Sequence, residues 1–110
     1  MADAPHIVIG NLFGRSSAPD LTDRALEEAR AAGLRAALNA PYAGGHILER
    51  HGAPHRGVHA LQIEIDRKLY LDAGADSPGP GLGAMRQFVR RLAKCLADQA
   101  ERRALPLAAE

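Results

Sequence analysis

Residues Val58 to Asp66 alternate apolar and polar side chains with the period of a β-strand. His59, Leu61, Ile63 and Ile65 fall on one face, and Ala60, Gln62, Glu64 and Asp66 on the other. A strand of this kind needs a sheet with a buried side, which excludes an all-helical or disordered chain. The unbroken alternation predicts a central strand with Leu61, Ile63 and Ile65 buried. Gln62 and Glu64 project from the same side of it, an unusual pairing of polar groups in an otherwise apolar strand.

The remaining elements follow from local pattern. His6 to Ile9, closed by Gly10, reads as a short buried strand. Asn11 to Pro19 is a loop. A helix is predicted from Asp20 to Ala32, with Leu21, Ala25, Ala29 and Ala32 on one face, Leu26 beside it, and Asp20 or Ser17 as cap. Gly33 suits the left-handed residue that stops a helix. Leu34 to Leu38 reads as a second strand. Asn39 to Gly57 is rich in turn residues, with room for a short strand at His46 to Glu49. Arg67 to Leu71 leaves the long strand, with Tyr70 packing back, and Ala73 to Gly81 is a Gly/Pro loop. A last helix runs from Leu82 to Leu105 on the spacing of Met85, Phe88, Val89, Leu92 and Leu96, and Pro106 is expected to end it. The order is α/β: a small three- to four-stranded mixed sheet with two main helices. Residues 1–110 make a single domain, but two helices cover both faces of such a sheet poorly. The architecture therefore reads as a partial domain.

Charge and composition remove several function classes. Fourteen basic against 13 acidic residues leave a net charge of +1, with no pull toward nucleic acid or an anionic membrane. No apolar run reaches the ~18 residues of a membrane span. Met1 to Pro5 lacks the basic and apolar regions of a signal peptide, so a cytoplasmic location is expected. Aromatic residues are 4% with no Trp, against a base-stacking platform. Cys95 is the single cysteine, which excludes an internal disulfide and a cysteine-based zinc site. Its apolar neighbours mark it as packing.

Three constellations can carry chemistry. His46, His51, His55 and His59 crowd one segment, and imidazole suits zinc. Gly52, Pro54 and Gly57 deny them a common helix face, so they read first as surface or hydrogen-bonding histidines, and whether His46, His51 or His55 meets a metal stays open. Glu64, on the polar face of its strand, can act as a general base or bind a cation, or pair with Arg67 as a plain ion pair. Asn39 to Gly45 (Asn-Ala-Pro-Tyr-Ala-Gly-Gly) can bring backbone N–H groups to a ligand, or be a tight turn. The Gly-x-Ser-x-Gly and Walker patterns are both missing.

Ile7 to Gly14, Asn39 to Gly45, His51 to Pro54 and Gly57 to Tyr70 together resemble the C-terminal part of the N-formylglutamate amidohydrolase family, in the same order and at fitting intervals. The resemblance implies a zinc-dependent amidase, metallocarboxypeptidase-like (phosphorylase/hydrolase-like) in fold. It hydrolyses N-formyl-L-glutamate to formate and glutamate in histidine breakdown. By resemblance Glu64 is the catalytic carboxylate and Arg67 a substrate-carboxylate ligand, while Asn39, Gly44, Gly45, His59 and Gln62 border the substrate. His46 and His51 stand where relatives carry aromatics and inherit no ligand role. The Pro-His-Ser-Gly and Asp-x-His-Ser segments expected to hold the metal in relatives do not occur here. Zinc is thus expected in full-length relatives and not in this chain alone, whose metal ligands are none.

Three functions compete. The chain is a truncated hydrolase, inactive alone, that acts on a small N-acyl amino acid once completed. Or it is a non-catalytic binding or structural domain that pairs through an uncovered sheet edge, as a homodimer or with a missing N-terminal portion. Or it is a small metalloprotein built on His46 to His59.

Overall fold

A computed structural model describes the backbone of residues 4–109 and the side chains of residues 4–104. Of the N-terminal segment read above, residues 1–3 lie outside the described residues. The elements are β1 (Ile7–Gly10), α1 (Pro19–Ala31), β2 (Ala36–Leu38), α2 (His46–His51), β3 (Gln62–Ile65) and α3 (Leu82–Ala109), with 3₁₀ turns at Pro54–Arg56 and Arg67–Leu69.

The sheet has three strands in the order β2-β1-β3. β1 pairs parallel with β2, Ile7 opposite Ala36, and antiparallel with β3, Val8 opposite Glu64. β1 is therefore the central strand, and all four of its residues are buried. An uninterrupted apolar run is the mark of a strand covered on both faces. β3 lies at an edge, which corrects the expectation that Val58 to Asp66 is central. Alternation tells which face each side chain takes; it does not tell how many neighbours the strand has. β3 is also shorter than its pattern, because Val58 leaves it to bridge back to Ala53. Leu61, Ile63 and Ile65 are half-buried against the core rather than fully enclosed.

Both long helices pack on the same side of the sheet. Ile7 and Ile9 of β1 meet Ala25, Leu26 and Ala29 of α1 and Phe88 and Leu92 of α3 in one core cluster. α1 is the crossover that lets β1 and β2 run parallel. It begins after Ala18 with Pro19 in its first turn, and neither Ser17 nor Asp20 caps it through a side chain. Gly33 stands at φ +80° as expected. His46 to Glu49 is helix, not strand: six residues from His46 to His51 form α2, which ends at Gly52. Pro106 does not end α3, whose backbone continues to Ala109. A proline near the end of a helix removes only its own N–H bond and crowds one carbonyl, which a final turn tolerates. Among the described residues no helix is long and apolar enough to cross a membrane.

Candidate functional site

The side of the sheet away from α1 and α3 carries Val8, Gly10, Gln62 and Glu64, because side chains alternate along β1 and β3. The segment after β2 folds across the end of this face. It comes so close to Gly10 that a Cβ there would stand 2.6 Å from the Ala43 carbonyl oxygen, which only glycine avoids. Leu12 N–H donates to the same carbonyl at 2.9 Å.

Asn39 starts this segment in a left-handed conformation, φ +61°. Its Oδ1 accepts from Asn11 N–H at 2.9 Å, and its Nδ2 donates to Asn11 Oδ1 at 2.8 Å. Asn11 Nδ2 in turn donates to Thr22 Oγ1 in α1 at 3.0 Å. The end of β2, the end of β1 and the start of α1 are thus tied through two amides. Gly44, at φ +111°, lies against Leu48 of α2, and Gly45 precedes the first residue of α2. These residues deliver Tyr42, 55% exposed, to the rim of the face.

There Glu64 and Arg67 share an open hollow of 520 Å³ with His6, Val8, Tyr42 and Tyr70. Glu64 is exposed and accepts a hydrogen bond from Gln62 Nε2 at 3.2 Å. Arg67 opens the 3₁₀ turn after β3, which Asp66 caps by accepting from Lys68 N–H at 3.0 Å. Asp66 N–H donates to the His6 carbonyl at 2.9 Å and fixes the turn to β1. Among the described residues the ion pairs are Arg24–Glu28, Lys94–Asp98 and Arg103–Asp20. Glu64 and Arg67 are not paired with each other.

His59 is elsewhere. It lines a 270 Å³ cavity on the helix side with Leu21, Leu61, Ile63 and Leu96. Its Nδ1 accepts the Ala18 N–H at 3.0 Å, which serves the start of α1. Burial, with the nearby Arg103 charge, pushes its pKa below the ordinary 6.5, and Asp20 opposes this. The structure therefore joins Glu64 and Arg67 at one hollow, with Gln62 bonded to Glu64. Asn39, Gly44 and Gly45 belong to the segment that carries Tyr42 and do not line the hollow, and His59 stands on the opposite face. His46, His51 and His55 are exposed. Among the described residues no three His, Cys, Asp or Glu side chains gather as a metal site. Sequence reasoning did not single out His6, Val8 and Tyr42 as site residues. Tyr42, inside a turn motif, gave the one available signal; the others reach the hollow only through the strand register.

The chain is similar in fold and sequence to several known proteins. The N-formylglutamate amidohydrolase of Ralstonia eutropha JMP134 matches with a TM-score of 0.84 and 29% identity, over 92% of this chain and 36% of that one. An N-formylglutamate deformylase of Pseudomonas aeruginosa is 38% identical over 73 residues, 64% of this chain and 27% of the relative. One of Pseudomonas putida is 33% identical over 69 residues, 62% and 26% respectively. The structural frame is thus that of an α/β amidohydrolase. The family model for N-formylglutamate amidohydrolase matches residues 1–71, from the N-terminus past the Arg67 turn, and the chain belongs to that family. It spans about a quarter of the length of these curated relatives.

Proposed function

We propose that this chain is the substrate-facing layer of an N-formylglutamate amidohydrolase, with Glu64 handling the proton and Arg67 holding a substrate carboxylate. The observation that carries the reading is the hollow shared by Glu64 and Arg67 on the sheet face that α1 and α3 leave bare. The reaction is hydrolysis of the amide C–N bond of N-formyl-L-glutamate to formate and glutamate, a cytoplasmic step of histidine breakdown. Glu64, rooted in a strand, accepts a proton from the attacking water and returns it to the leaving amine. Gln62 steadies the Glu64 carboxylate. Arg67 offers a planar fork that matches a carboxylate. Asn39, Gly44 and Gly45 hold the loop that brings Tyr42 to the rim.

The family's chemistry implies zinc in a metallocarboxypeptidase-like fold, where the metal activates the attacking water. A catalytic zinc takes three protein ligands and an open position. The donors of this chain do not fit that set, since no such trio assembles among the described residues. No step is therefore assigned to zinc on this chain, and the ligands are assigned to the part of the family fold that it does not span. On this reading the chain alone is inactive and pairs with that portion. A second reading, a non-catalytic domain that pairs as a homodimer, is favoured by β2 and β3 both being edge strands.

The test measures deformylation of N-formylglutamate by the chain alone and mixed with the portion of the P. aeruginosa deformylase that it does not span. Turnover in the mixture only supports the first reading. A complex without turnover favours the second. Turnover by the chain alone refutes the inactive-layer assignment.

A further inference from the structure

On the helix side of β3, away from Glu64, basic side chains surround a second concavity of 320 Å³. It lies between the Pro54–Arg56 turn and the later turns of α3, and is lined by His55, Arg56, His59 and Arg103 with Gly57 and Ala100 between them. His59 Nδ1 is taken by the Ala18 N–H, so the neutral ring carries its proton on Nε2 and offers a donor there. Arg103 uses Nε for Asp20 Oδ1 at 3.1 Å, and its Nη groups carry the other donors of the fork. Asp20 is the carboxylate that faces this cluster from α1. It is already bonded to Gln99 Nε2 at 3.1 Å and to Arg103, and these partners hold its pKa below the usual value against the opposing effect of burial. The lining thus brings two guanidiniums and two imidazoles, with Asp20 behind Arg103, to a concavity large enough for a small metabolite.

We propose that this concavity binds a small organic dianion, a phosphate monoester or a dicarboxylate, through Arg56, Arg103 and the Nε2–H of His59. An anion there restores the charge balance that the cluster lacks, and Arg guanidiniums recognise phosphate and carboxylate oxygens alike. The positive field of Arg103, which with burial depresses the His59 pKa, is the field the anion offsets. This site does not depend on the amidohydrolase reading of the Glu64 hollow.

The experiment is an NMR titration of the full 110-residue chain, with inorganic phosphate in one arm and glutarate in another, against sodium chloride at matched ionic strength. Expected are saturable shifts at His59, Arg56 and Arg103 with a dianion and not with chloride. The His59 titration midpoint rises when the anion is bound, because a nearby negative charge favours the imidazolium. Arg56→Gln, on an exposed turn, weakens the affinity about tenfold, as expected for losing one charged hydrogen bond. Saturation in one arm only assigns the ligand to that class. Shifts that never saturate, that chloride reproduces, that centre on Glu64, or that survive Arg56→Gln unchanged overturn the proposal.

Discussion

Asn39 combines a left-handed backbone with an amide whose oxygen and nitrogen both engage Asn11. Its substitutions separate these two features. Asn39→Gly keeps the conformation and loses the clamp, for an expected cost of about 1–3 kcal/mol. Asn39→Ala loses the clamp too and, at a positive φ that alanine tolerates less well than glycine or asparagine, costs about 1 kcal/mol more than the glycine variant. Urea denaturation checks both, and equal midpoints for the two variants would show that conformation contributes nothing. Glu64 and Arg67 belong to the same scale. In a chimera where this chain replaces the matching segment of the P. aeruginosa deformylase, Glu64→Gln is expected to lower kcat by about 10²–10⁴-fold, the span of general-base catalysis. Arg67→Lys instead raises KM, because it weakens binding in ground and transition states alike. Near-normal kcat in the Glu64 variant, with lowered stability, would make that carboxylate structural. The facing of Glu64 and Gln62 was legible in the sequence, since a period of two leaves no freedom. The same alternation sets His59 with Leu61 and Ile63, away from Glu64. The contact of Asn39 with Asn11 was not legible, because nothing local couples loops 28 residues apart.

At the scale of elements, β1 and β3 exchange the importance that their patterns suggest. β1 looks modest, with four residues, but it has a partner on each side and Ile9 is fully enclosed. β3 has the cleaner pattern and one partner. Ile9→Ala is therefore expected to cost about 2–5 kcal/mol, the range for emptying a closed core site. Leu61→Ala costs about 1–2 kcal/mol, because part of its surface already meets water. Thermal or urea unfolding of the two variants ranks them, and a larger loss at Leu61 would return β3 to the centre of the fold. The link between His59 and the start of α1 makes a further prediction, in pH. Its folded pKa is lowered from 6.5, so the unfolded chain takes up the proton first. The stabilisation is complete above that ordinary value and is lost as pH falls through it toward the folded pKa. The urea midpoint is expected to drop between about pH 7.5 and about pH 5.5, the window in which histidines titrate. His59→Asn removes the titrating ring, and the drop in that window shrinks; an unchanged drop would assign it to other groups. α2 escaped the sequence reading because a six-residue helix spans too few turns to show a period, and its flanking glycines and prolines resemble those of a loop.

For the whole molecule, the telling feature is that α1 and α3 share one face of the sheet while the other carries the candidate site. The incomplete cover was legible from counting helices; which face stays bare was not, since that depends on the hand of the β1–α1–β2 crossover and on where α3 returns. Beyond the ends of β1 and β2 stand apolar groups that a finished surface seldom shows. Phe13, in the loop after β1, is 74% exposed, and Ile47, in α2 after β2, is 72% exposed. Parallel strands bring their following loops to one end of the sheet, so these side chains mark that end. On the reading proposed above, this end is where the remainder of the family fold would dock. Without that cover it should stick to itself, since exposed apolar patches mark interaction sites or association liabilities. Sedimentation of the chain is expected to show concentration-dependent self-association. Phe13→Asn and Ile47→Gln together should reduce it while moving the unfolding midpoint little, because exposed side chains change stability by only about 0.5 kcal/mol. Asn suits position 13 because it tolerates the left-handed backbone found there, φ +54°. The same double variant should weaken binding to the complementary portion of the deformylase. If it binds that portion as tightly as the parent chain does, the apolar end is not the contact, and the partner must enter along a sheet edge instead.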